Sequence, residues 1–155
     1  MSPPQCAAKP WRQNDYGSAL PRPAGDLNLG SVGVFTDAEL AYLQGERRLA
    51  RIATVGADGA PHVTPVGWSY NAELETIDVG GRDVSSTKKF RDVMLTKRAA
   101  IVIDDVLPPW SPRGVEVRGD AEALDGPPAF IRIHPRRVIS WGLEGSRNAR
   151  DVAKG

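Results

Sequence analysis

The residues of this chain best suited to chemistry run Gly80-Gly81-Arg82-Asp83-Val84-Ser85-Ser86-Thr87-Lys88-Lys89-Phe90-Arg91. An apolar stretch ending at Val79 leads into two glycines, then hydroxyls, then lysines and an arginine. Glycines let backbone amides approach a bulky anion. Ser and Thr cap a following helix, and the positive end of that helix favours phosphate. Arg82, Lys88, Lys89 and Arg91 add charge that a phosphate neutralises. The same residues also fit a capped surface helix with a solvated basic face and Phe90, Val93 and Met94 turned inward. Both readings stand on this segment alone.

What else is missing favours the first. The chain has no HExxH motif, no paired Cys or His spacing for a metal, no GxSxG elbow and no Walker loop. Its two histidines, His62 and His134, each precede or follow a proline and read as a strand-edge residue and a strand-end bend. A phosphate cradle without an evident acid, base or nucleophile implies that a cofactor carries the reaction, while the protein binds and orients it.

The elements that position these residues are mostly strands. Residues 1–34 hold five of the thirteen prolines and show no sustained periodicity, so they read as an extended or disordered arm with Trp11 and Tyr16 as docking points. The domain proper spans 35–155. Thr36-Asp37-Ala38-Glu39 is a capping box that opens a helix over 36–44. Strands are predicted at 49–55, 62–70, 74–79 and 99–104, with Ala57-Asp58-Gly59 as a hairpin turn and a helix over 85–96. Residues 107–112 read as a rigid proline-rich loop. The clearest strand is 114–124, where Val115, Val117, Gly119, Ala121 and Ala123 alternate with Glu116, Arg118, Asp120 and Glu122. Residues 130–133 and 136–141 supply one or two more strands, bent at His134-Pro135, and the tail from Leu143 is polar. Six or seven short antiparallel strands with one or two helices predict a mainly β fold, a small closed or split barrel.

Composition narrows the function classes. A length of 155 residues fits one core-bearing domain. A net charge of +1 argues against a global field aimed at nucleic acid or an acidic membrane, and the basic stretch lacks interleaved aromatics. The lone Cys6 offers neither a disulfide framework nor a cysteine metal site, which fits a reducing cytoplasm. No apolar run approaches the roughly 20 residues needed to span a bilayer.

Taken together, residues 48–55, the run Asp58-Gly59-Ala60-Pro61-His62-Val63-Thr64-Pro65-Val66-Gly67-Trp68 and Thr87-Lys88-Lys89-Phe90-Arg91-Asp92-Val93 resemble the FMN-binding split-barrel superfamily. Within it they are similar to the oxidoreductases that use the deazaflavin coenzyme F420 and are classed with pyridoxamine 5′-phosphate oxidases. Three further runs resemble one branch, which includes a reductase of oxytetracycline biosynthesis. They are Ile103-Asp104-Asp105-Val106-Leu107-Pro108-Pro109-Trp110, residues 114–119 and residues 131–142. The ending Arg91-Asp92-Val93 departs from the Arg-Asn-Leu common among relatives, a change expected to affect helix packing more than cofactor choice.

The resemblance implies a six- or seven-stranded split barrel that forms a homodimer, with cofactor sites in grooves between subunits. His62, Val63, Thr64, Pro65 and Val66 would line the ring. Arg82, Ser86, Thr87 and Lys89, with Lys88 as the close alternative, would hold cofactor phosphate. Trp110 would cover the ring or the substrate, whereas Trp68 and Trp141 read as packing residues. The activity implied is hydride transfer from reduced F420 to a conjugated double bond of a small organic substrate, in one branch a tetracycline-type intermediate. The proton would come from solvent or from Tyr70. An FMN-dependent oxidase or flavin reductase of the same fold, and a non-catalytic flavin or F420 carrier, remain open.

Overall fold

Strand after strand in this chain carries branched apolar side chains at every second position, so each presents one face to a common core. The computed structural model describes residues 33–144 and 147–153. Its elements are α1 (Asp37–Gln44), β1 (Ala50–Val55), β2 (Pro61–Asn71), β3 (Thr76–Gly80), a short 3₁₀ turn (Val84–Ser86), α2 (Lys88–Thr96), β4 (Arg98–Leu107), β5 (Ser111–Leu124), β6 (Phe130–Trp141) and β7 (Asn148–Asp151). The sheet order is β3-β2-β1-β4-β5-β6-β7, and β3 also pairs with β6. Six antiparallel strands therefore close into a barrel, with β7 added outside on β6. The predicted fold class holds.

The closing seam explains the barrel's stability. Ile77 pairs with Ile133 and Val79 with Ile131, and all four side chains are fully buried. Ile52, Ile101, Ile103, Val115, Val117 and Val138 fill the interior from the other strands. Each such side chain contributes about 1.5–3 kcal/mol on leaving water. Arg132 adds a bidentate pair to Asp78 across the seam, at 2.8 and 2.7 Å.

Three expectations need revision. Residues 107–112 are not a loop between separated strands: β4 and β5 run on to pair Leu107 with Ser111, leaving a tight turn over Pro108, Pro109 and Trp110. β6 passes through His134-Pro135 as one strand with a bulge directly after the proline: Arg118 faces Arg137 and Gly119 faces Pro135, which leaves Arg136 as the extra residue. His134 is thus no bend residue, and its Nε2 lies 2.7 Å from Glu122 Oε1. The polar tail contains β7, which pairs residues 148–151 with 137–140.

The capping box of α1 is present as expected. Thr36 Oγ1 accepts from the Glu39 amide, and the Glu39 carboxylate accepts from the Thr36 amide. Glu39 then reaches Ser140 on β6 and Arg150 on β7, so one buried carboxylate ties three elements together. Burial alone would raise its pKa. Hydrogen bonds from Arg150, the Thr36 amide and Ser140 outweigh that and hold it below the usual glutamate value. Apart from Gly33 and Val34, the N-terminal arm with Trp11 and Tyr16 lies outside the described residues.

Candidate functional site

Each half of β2 is paired on one side only. Residues 61–66 pair with β1, residues 67–71 pair with β3, and nothing described pairs with residues 61–66 on the β3 side. This split sets which amides are available. The hairpin bond from the Gly56 amide to the Ala60 carbonyl fixes the alternation, so His62, Thr64 and Val66 direct their backbone groups at β1. Pro61, Val63 and Pro65 face the open edge. Two of these are prolines without an N–H, which leaves the Val63 amide as the edge's donor.

Side chains alternate the other way. Val66 is buried in the core and His62 and Thr64 are partly buried, whereas Val63 is 64% exposed beside exposed Pro61 and Pro65. The stretch 62–66 therefore offers a ligand an apolar outer surface and one edge amide, not five side chains. His62 Nδ1 is buried without a hydrogen-bond partner among the described residues.

The segment after β3 begins where this open half ends and finishes beside the β1–β2 hairpin. Gly80 pairs with Gly67 at one end. At the other, Lys88 Nζ lies 3.1 Å from where a Cβ on Gly56 would sit. Gly81 has φ +152 and Asp83 φ +51, backbone turns that bring the chain into the 3₁₀ turn and then α2. The apolar side of that path is anchored by Val84, Phe90 and Val93, all buried. α2 packs against β1, β5 and β6 and covers this end of the barrel.

The hydroxyls at the turn are engaged with main chain. Ser86 Oγ donates to the Asp83 carbonyl at 2.8 Å, and Thr87 Oγ1 donates to the Val84 carbonyl at 2.6 Å while capping α2. Arg91 donates to the Ser86 carbonyl at 2.8 Å. Lys88 is engaged too: its ammonium contacts both oxygens of Asp92 at 2.8 and 3.0 Å. Asp92 is buried and also accepts from Thr54 at 2.9 Å. The Lys88 hydrogen bond holds the Asp92 carboxyl below its usual range against the opposing effect of burial, with Thr54 and the charge of Lys88 assisting. Arg82 and Lys89 form no ion pair with any described residue. Those two cations and the first amides of α2 are donors open to an anion.

Two sequence candidates lie elsewhere. Trp110, 69% exposed, caps the β4–β5 hairpin, beyond Asp104 and two strands from β2. Tyr70 sits three residues along β2 from Gly67, roughly 10 Å away, in edge-to-face contact with Phe35. Burial and then Glu75 raise its pKa, so the phenol stays protonated. Trp68 packs on the core and donates to the Arg48 carbonyl at 2.8 Å, while the Trp141 ring lies over Gly114. The Lys88–Asp92 pair has one signal in the sequence, its i,i+4 spacing. Asp105, which accepts from Tyr42 and Arg113 at 2.8 Å each, has no comparable local signal, because Tyr42 lies 63 residues away.

Comparison with known proteins bears on this site. Residues 35–150 match the family described as pyridoxamine 5′-phosphate oxidase. The chain is 40% identical to the 5a,11a-dehydrotetracycline/5a,11a-dehydrooxytetracycline reductase of Streptomyces rimosus subsp. rimosus, over 76% of this chain and 93% of that protein. Among solved structures it is similar to a conserved hypothetical protein of Mycobacterium tuberculosis at TM-score 0.58 and 22% identity, covering 70% of this chain and 85% of that one. It is also similar to General Stress Protein 26 of Bacillus anthracis at TM-score 0.59 and 15% identity, covering 75% and 97%. These likenesses speak to the barrel. The family match reaches from Phe35, just before α1, to Arg150 in β7, and so takes in the split in β2 and the turn beside it: the chain belongs to the pyridoxamine 5′-phosphate oxidase family.

Proposed function

We propose that this protein is a reductase that uses reduced coenzyme F420 to saturate a conjugated double bond of a tetracycline-type substrate. The observation that carries the reading is the convergence of the open half of β2 with a glycine turn and an α2 start whose Arg82 and Lys89 have no described ion-pair partner. The 40% identity to a dehydrotetracycline reductase supports the substrate class and the direction of reaction.

The residues fit such a cofactor. A flat ring with polar edges matches an apolar outer strand face bearing one outward amide at Val63. A phosphate matches Lys89, Arg82 and the first amides of α2. When bound, the reduced deazaflavin supplies a hydride. The protein's part is to bind and orient ring and substrate, and positioning alone can lower a barrier by about 7–11 kcal/mol. Tyr70 is protonated but distant from the cradle, so we assign the accompanying proton to solvent. The exposed apolar surface over Val63, Val55 and Leu49 supports a homodimer whose partner covers this face.

Turnover of a dehydrotetracycline with reduced F420 in deuterated water tests the reading. One carbon should gain solvent deuterium and the other hydrogen from F420, and Tyr70→Phe should keep most of the turnover. Absence of reduction with F420 alongside turnover with FMN would move the protein to the flavin enzymes of the same fold.

A further inference from the structure

We infer that Asp92 withholds Lys88 from the anion and thereby leaves phosphate recognition to Lys89 and Arg82. The inference rests on the cofactor site proposed above. Four basic residues surround the start of α2, and by charge alone Lys88 and Lys89 are equivalent candidates. Their surroundings differ. Lys88 has its ammonium on both oxygens of Asp92, one turn further along the same helix. That carboxylate is itself held by Thr54 on β1 and is almost fully removed from solvent, at 4% exposure.

A buried carboxylate without its cation is costly, so Lys88 cannot leave to meet a ligand unless the ligand repays that loss. Lys89 carries no such obligation. Asp92 thus acts as a positioning residue: it sets how much positive charge the cradle presents and pins the first turn of α2 to β1 beside Gly56. Asparagine at this position would keep a hydrogen-bond acceptor for Thr54 while releasing Lys88, whose side chain is 48% exposed and free to swing outward.

Equilibrium titration of the full chain with F420, followed by fluorescence, tests this with four variants. Lys89→Met should weaken binding by tenfold or more, and Lys88→Met should change it less than about twofold. Asp92→Asn should tighten binding by about three- to tenfold, with a steeper dependence on salt, because the freed ammonium joins the cradle. The double variant Asp92→Asn with Lys88→Met should return to the wild-type affinity. It replaces the pair without leaving a buried charge, so it stays informative even where Lys88→Met alone fails to fold. An equal loss in Lys88→Met and Lys89→Met, or a gain in Asp92→Asn that survives in the double variant, would overturn the inference. No loss in Lys89→Met would instead overturn the cofactor site on which it rests.

Discussion

At the scale of single residues, the side chains that matter most are those whose partners are already chosen. Spacing alone makes Lys88 and Lys89 interchangeable. The structure separates them because residue 92 is an aspartate that the fold buries against Thr54. The basic composition of this segment was legible in the sequence, and the family resemblance put Lys89 ahead of Lys88, but the pairing of Lys88 with Asp92 was not legible. That pairing depends on which lysine the helix turns toward β1. Glu39 is a second case. Its capping role was legible from Thr36-Asp37-Ala38-Glu39, whereas its bonds to Ser140 and Arg150 join residues more than a hundred positions apart. Because its pKa is lowered on folding, the stability it contributes is present above the usual value of 4.5 and is lost as pH falls through the folded value. Glu39→Gln should therefore cost about 3 kcal/mol at pH 7, since Arg150 is left half-paired. Urea unfolding at pH 7 and at pH 3 checks this: the gap between wild type and variant should shrink at the lower pH. A constant gap would show that Glu39 acts by packing rather than charge.

Among the elements, strands with a clean two-residue alternation were readable and irregular ones were not. β5 came through because Val115, Val117 and Ala121 point inward and charged residues lie between them. β6 looked broken at His134-Pro135 because proline cannot join a regular ladder. The strand continues through a bulge at Arg136, directly after the proline, which only the register against β5 reveals. Gly119 makes that bulge possible: a Cβ there would sit 1.9 Å from the His134 carbonyl oxygen. Gly119→Ala should destabilise the barrel by about 2–3 kcal/mol, seen as a lower midpoint in thermal or urea unfolding. An unchanged midpoint would mean that the β5–β6 register shifts to relieve the contact. β7 escaped notice because its four residues, Asn148–Asp151, are polar and carry no apolar alternation. It is held by pairing to β6 and by Arg150 on Glu39.

The whole molecule has an inside built from isoleucine and valine and an outside that is unevenly apolar. No helix among the described residues is long and apolar enough to cross a membrane. Leu49, Val55 and Val63 stand exposed on or beside β1 and β2, and Val106, Leu107 and Trp110 crown the β4–β5 hairpin. Surface of that kind is normally covered. Sedimentation at micromolar concentration should give twice the chain mass of 16.7 kDa, and Val63→Lys should shift the protein toward monomer and weaken F420 binding together. A wild-type monomer that binds F420 tightly would remove the partner from the site. The most direct test of the proposed function is an equilibrium titration of the purified protein with F420 and FMN side by side. Tighter binding of F420, by tenfold or more, is the expected result. Tight binding of FMN with no measurable binding of F420 would contradict it.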